Sequence, residues 1–335
     1  MNVKELVKRL MPEVVLNKVK ILKFTKISNR FYKYDSDRFL KHSNVLTKWN
    51  NPEKLLGQII VEYHAIEKGL AMTNMRLGFG KNVLIDLVNH CILFKNLFGT
   101  DREQFKYALR VIAEYKSVHR NEKFDLEDDL IDLIDKLLLK EEDLEPSEQI
   151  SMTKESYLEH TYSSFEKFSS NRKSLRMFEG SVKIEDIEKA VSLAQNAPSA
   201  CNRQPSRVYV LQEKELIKKA LEVQNGNRGF GHLSDKVIVL TAELGGYLSM
   251  NERNDVYVNG GIYAMNLLYA LHYYQIGACP LNWCASPEQD LKLREIFEIK
   301  ESETVILMIA CGGIPDNFKL VTSHKDKYKN IIKVI

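Results

Sequence analysis

The chain has 335 residues, 44% hydrophobic and 28% charged, with a formal net charge of +3. This is the balance of a globular protein with enough length for a buried core, and it excludes a broadly basic nucleic-acid binder. No apolar run approaches the roughly 18 residues a spanning helix needs, and five cysteines without a CxxC pair argue against a disulfide framework or structural zinc and fit a reducing cytoplasm.

The first 50 residues are basic, with twelve Lys/Arg against four Asp/Glu. Charges run throughout MNVKELVKRLMPEVVLNKVK, so no secretory signal is expected there. The segment reads as a solvated helix face, with peripheral contact to an anionic membrane surface as the alternative. Residues 53–71 carry Leu55, Ile59, Ile60, Tyr63 and Ile66 at helical spacing, and Asn51-Pro52 supplies a cap and a first-turn proline. His64, Glu67 and Lys68 stand at i, i+3 and i+4 in this helix and read as a buried or interface polar cluster. The turn 78-GFGK-81 lacks Walker spacing and reads as punctuation between helices. Further helices are expected over 82–98, 102–118 and 124–140, the last acidic on one face.

From 141 to 170 the chain turns polar, which marks a junction between a helical domain, 1–150, and a second domain, 151–335. There a helix at 183–197 leads into the loop 197-APSACNRQPS-206 and a strand at 206–211. A helix over 213–224, the turn 225-NGNRGFGHL-233 and a strand at 236–242 follow. Residues 255–277 form a long helix, apolar nearly all round, which should be buried and could lie at a subunit interface. A short strand at 278–283 comes next. Ser286-Pro287-Glu288-Gln289 then combines a cap, a first-turn proline and a capping-box glutamine. The charge-free run 304–312 reads as a central strand. Helices on a mixed sheet make the second domain α+β.

Two stretches bear on chemistry. In 171-NRKSLRMF-178, Arg172, Lys173, Ser174 and Arg176 fall within five residues. Guanidinium forks and a hydroxyl suit phosphate oxygens, while a solvated basic turn is the plain alternative. The loop offers Ser199, Asn202 and Gln204, whose donors and acceptors could read the edge of a heteroaromatic ring. The same residue types also make ordinary turns. Neither a Ser-His-Asp set nor a metal cluster is visible, and no GxGxxG follows a strand.

In order, the basic stretch, the APSACNRQP loop, a long helix opening near NGG and the GACPLNW segment resemble the nitroreductase family over about residues 165–330. The resemblance implies a nitroreductase-like mixed sheet flanked by helices, here preceded by an all-α region. It implies FMN held at a homodimer interface. Arg172, Lys173, Ser174 and Arg176 would take the phosphate and the N1–C2=O edge. Pro198, Ser199, Ala200, Asn202 and Gln204 would line the isoalloxazine, usually from the partner subunit. Asn227 would meet the pyrimidine edge. Pro280, Leu281 and Asn282 would face N5 and O4, and Lys325 would complete the phosphate site. Ser206 stands where many members have an aromatic residue, and Asn259 where an acid is common. Catalysis would rest on the flavin and not on a side chain. The implied activity is an FMN-dependent oxidoreductase, NADH or NADPH reducing a small nitro, quinone or enone acceptor by ping-pong turns. A flavin enzyme that does not use nicotinamide and a non-catalytic flavin-binding interaction protein remain alternatives. Cys279 and Cys284 flank the proposed N5 segment and could be reactive, although a buried cysteine is usually an inert small hydrophobe.

Overall fold

The computed structural model describes residues 12–42, 44, 51–139 and 144–335. The first eleven residues and 45–50 of the basic segment lie outside the described residues, as do Lys140 of the acidic helix and 141–143 of the junction. The chain forms two compact units. One comprises the described residues up to Leu55 together with Leu248–Arg253; the other comprises 56–247 and 254–335.

In the first unit, α1 (Glu13–His42) is a 30-residue helix. Arg253 holds Asp35 through two bonds, Nε to Oδ2 at 2.6 Å and Nη2 to Oδ1 at 2.8 Å, while its guanidinium lies 5.0 Å from the Phe31 ring centroid. Helix α2 (Pro52–Leu70) opens as the sequence requires: Asn51 Oδ1 accepts the Lys54 N–H at 3.0 Å, and proline takes the first helical position.

The second unit contains α3 (Lys81–Phe98), α4 (Glu103–Asn121) and α5 (Asp128–Leu138). Their apolar stripes supply Leu84, Leu87, Phe94, Phe105, Ile112 and Ile134, all fully buried. The GFGK turn starts α3. Gly80 caps it with φ 65°, the Gly78 N–H donates to His119 Nε2 at 2.9 Å, and a Cβ on Gly69 would meet the Phe79 ring at 1.9 Å. Its backbone is thus spent on packing.

The compact units do not part at residue 150, where the sequence places the domain boundary. The polar junction is drawn into the helices by a buried carboxylate. Glu114 of α4 accepts from Ser147 Oγ at 2.5 Å and Gln149 Nε2 at 2.8 Å. A charge taken from water needs such partners, and burial still pushes this carboxyl up. The junction also forms β1 (Ile150–Thr153), the short helix α6 (Lys154–Leu158) and α7 (Phe165–Asn171).

Strand β1 pairs antiparallel with β6 (Asn317–Leu320). The larger sheet has the order β2 (Ser206–Leu211), β3 (Lys236–Glu243), β5 (Glu303–Gly312), β4 (Gly277–Asn282). The α+β class is the one expected, but every ladder among the described residues is antiparallel, not mixed. Strands β3 and β4 run the same way; β5 inserts between them and removes the parallel neighbour. Alternation sorts β3 to two cores. Val237 and Val239 meet α9 (Lys214–Val223) and α11 (Pro287–Phe297). Ile238 and Leu240 meet α8 (Ile184–Ala194) and α10 (Asp255–Tyr273). Helix α11 carries the expected capping box, with both Ser286 and Gln289 bonds made. Helix α10 is buried on one side only: Tyr257, Val258, Ile262 and Met265 are exposed.

Candidate functional site

After α7 the basic stretch runs extended along the end of the sheet. The Leu175 N–H donates to Ala278 O at 3.0 Å, and the Glu179 N–H donates to Gly313 O at 3.0 Å. Glycines permit the approach: a Cβ on Gly277 would meet Leu175 Cδ2 at 2.5 Å, and one on Gly313 would meet Glu179 O at 2.1 Å. Leu175 is buried, which leaves its neighbours Arg172, Lys173, Ser174 and Arg176 half-buried.

These cations are not neutralised. No acidic side chain among the described residues pairs with Lys68, Arg172, Lys173, Arg176 or Lys325. Arg172 Nε is buried without a hydrogen-bond partner. Burial, then Arg172 and Lys325, hold the Lys173 ammonium below its usual range. Burial, then Arg176, do the same to Lys68. Beneath them lies Cys279 on β4. Burial pushes its thiol up, against the opposing pull of Arg176, Lys68 and Arg172, so it is an inert thiol as expected. Arg172 also faces His272 of α10 and Tyr157 of α6. Burial, aided by Arg172, lowers His272 to about 4, and burial lifts the Tyr157 phenol to about 12. Such uncompensated positive charge in a half-desolvated place favours an anion.

The structure divides the polar trio of α2. His64 Nδ1 lies 3.1 Å from Glu67 Oε2, and Tyr107 Oη donates to Glu67 Oε1. This pair lines a cavity of about 400 Å³ with Tyr63, Gln104, His324 and Lys325. Lys68 turns instead into a narrow crevice with Met72, Ser174, Arg176, Met177 and exposed Lys319. The segment bearing Lys325, itself exposed, is held from α4: Gln104 Nε2 donates to Asp326 Oδ1 at 3.0 Å, and the His324 ring stacks on Tyr107 at 4.9 Å.

The APSACNRQP loop is strained. Cys201, Asn202 and Gln204 have φ values of 52°, 55° and 49°. Asparagine tolerates this region, but the other two cost roughly 1–3 kcal/mol each. Ser199 closes the loop by accepting the Gln204 N–H at 2.9 Å, and Asn259 Oδ1 of α10 accepts the Ala200 N–H at 2.9 Å. Asn259, set aside in the sequence, thus anchors the loop. Pro198, Ser199 and Gln204 line a cleft of about 130 Å³, while Asn202 and Gln204 remain exposed. This cleft and the cation cluster are separate concavities, with no residue lining both.

Asn227 also has a local structural role. Its amide nitrogen donates to Leu221 O and Gln224 O, both at 2.8 Å, closing the end of α9. Pro280, Leu281 and Asn282 end the edge strand β4, where proline is tolerated. Asn282 O accepts from Gln224 Nε2 at 3.0 Å. Among the described residues no group of three or more His, Cys, Asp and Glu could hold a metal.

Residues 170–228 match the model of the nitroreductase family. A protein named "Putative NADH dehydrogenase/NAD(P)H nitroreductase" from Archaeoglobus fulgidus is 29% identical over 144 residues, which cover 42% of this chain and 80% of the relative. An FMN-dependent nitroreductase from Clostridium difficile R20291 aligns over 50% of this chain and 96% of its own, with 21% identity and a TM-score of 0.42. A nitroreductase family protein from Streptococcus pneumoniae TIGR4 aligns over 51% of this chain and 100% of its own, with 22% identity and a TM-score of 0.43. Residues 170–228 therefore resemble that family, and helices α1 to α5 precede the stretch that the family model matches.

Proposed function

We propose that this chain, whose C-terminal half resembles the nitroreductase family, is an FMN-dependent oxidoreductase. One observation carries the reading: a cluster of cations, all but Lys325 half-buried, without acidic partners among the described residues, including an orphaned Arg172 Nε. These residues fit FMN, whose phosphate is a dianion. Arg172, Lys173 and Lys325 would hold the phosphate, and Ser174 would donate to it. Arg176 would face the ring carbonyl edge, and β4 residues 280–282 would lie along the ring. When bound, FMN supplies the two-electron chemistry: NADH or NADPH would give a hydride, and a small nitro, quinone or enone acceptor would take it in ping-pong turns.

Two observations favour a homodimer. The exposed face of α10 carries Tyr257, Val258, Ile262 and Met265, an apolar surface that a second copy would cover. The strained loop is tied to the same helix through Asn259 but lines a cleft apart from the cations. In a dimer the loop's Pro198, Ser199, Ala200, Asn202 and Gln204 would wall the partner's flavin. No described helix is long and apolar enough to cross a membrane, and a cytoplasmic setting is the reading adopted.

Purified protein should be yellow and should release FMN on denaturation. Stopped-flow mixing with NADH and with NADPH then identifies the donor. A flavin that stays oxidised with both would move the reading to a flavin enzyme that does not use nicotinamide. A colourless protein that also fails to bind added FMN would overturn the proposal.

A further inference from the structure

Helix α2 precedes the stretch that matches the family, yet it sends Lys68 into the cation cluster. Lys68 shares its crevice with Ser174 and Arg176, and no acid among the described residues pairs with it. That crevice is lined by Lys68 and Arg176 and not by Arg172, Lys173 or Lys325. The cluster therefore has two ends. Arg172, Lys173 and Lys325 form one, and Lys68 with Arg176 forms the other. FMN also presents negative charge at two places: a permanent phosphate, and the ring, which gains charge only on reduction.

We propose that Lys68, supplied by the helical region, is a second cation beside Arg176 that holds the negative charge the flavin ring acquires on reduction. The inference rests on the FMN reading above. The balance is simple: NAD(P)H gives up a hydride and leaves as NAD(P)⁺, and the ring gains two electrons, one hydrogen and one negative charge. The acceptor later takes the hydride, with a proton from water. A cation already fixed at the ring favours the charged form without reorganisation. Lys68 would thereby raise the flavin's midpoint potential. The helical region would be part of the redox site and not an appendage. A lysine suits this place, being a compact charge that needs no planar partner. The clamp of α4 on the Lys325 segment, through Gln104 and Tyr107, ties the phosphate end to the helices as well.

The test compares oxidised and reduced FMN, the latter under anaerobic conditions, on the full chain. For Lys68→Gln the Kd of oxidised FMN should change by less than about 3-fold, while that of reduced FMN rises by about 10-fold or more. The midpoint potential should then fall by about 30 mV for each tenfold of lost preference. Lys68→Arg should restore most of both. Thermal melts confirm folding, and Lys68→Met replaces the glutamine variant should the latter not fold. Equal Kd changes for the two forms, or an unchanged potential, would overturn the role of Lys68. Wild-type protein that binds no FMN would instead overturn the parent reading, so the two failures are distinguishable.

Discussion

Helix α1 and the cluster around Arg172 are both basic, yet water treats them differently. On α1, Lys18, Lys20, Lys23, Lys26 and Lys33 are exposed, and Lys33 stands 3.8 Å from Asp37 with both side chains largely in solvent. Such charges are screened and contribute little to stability. Lys68, Arg172, Lys173 and Arg176 are half-buried, Lys325 beside them is exposed, and no acid among the described residues pairs with any of them. The first region has the larger count of lysines; the second has the electrostatic strain that a ligand would relieve. Desolvation, not composition, separates a solvated face from a binding site.

The sharpest way to break this contrast is to remove the phosphate end. Arg172→Ala with Lys325→Ala should weaken FMN binding by roughly 100-fold or more, each lost charge-assisted bond counting for about 1.5–3 kcal/mol. Unchanged affinity by fluorescence titration would reduce the cluster to a basic turn. The next effect concerns the proton. His272 sits at about 4, below its unfolded value, so the unfolded chain binds the extra proton first. Its contribution to stability is complete above pH 6.5 and is lost as pH falls toward 4, by roughly 2–3 kcal/mol. Tyr157 and Phe168 pack on its ring and Arg172 opposes its charge. His272→Phe should therefore flatten the acid limb of stability, read from urea unfolding at pH 7 and pH 4.5. A limb as steep as that of the wild type would refute the assignment.

Asn227→Ala should cost about 1–2 kcal/mol through the lost bonds to Leu221 O and Gln224 O. With the amide nitrogen so committed, FMN affinity should move by less than about 2-fold; a tenfold loss would return Asn227 to the flavin edge. The smallest effect belongs to α1. Replacing Lys18, Lys20, Lys23 and Lys26 with Gln should change unfolding by under about 0.5 kcal/mol and leave FMN binding alone. Loss of binding to vesicles of anionic lipid would revive the membrane reading of that segment.

Much of the chain's local order is legible in its residues. Asn51-Pro52 and Ser286–Gln289 act within one turn, so their caps follow from four residues. The charge-free run at 304–312 could only be an interior strand. Strand β1 escaped notice because four residues alternate too briefly, and its partner β6 lies more than 160 residues away. The antiparallel sheet escaped for the same reason, since the insertion of β5 between β3 and β4 is not a local property. Periodicity also placed His64, Glu67 and Lys68 on one face. Successive helical residues turn by about 100°, which is enough for Glu67 to enter the cavity beside Tyr107 and Lys68 the crevice beside Arg176.

What the sequence determined by itself was the supply of parts: helices with their caps, a charge-free central strand, a basic stretch and a loop rich in proline and amide. These follow from short-range sterics, hydrogen bonding and apolar periodicity. Only the tertiary structure decided which cations lose their water, that Asn259 anchors the strained loop, that Asn227 closes a helix, and that Lys68 shares a crevice with Ser174 and Arg176. Those outcomes depend on burial and on partners distant in the chain, and neither can be read from neighbouring residues.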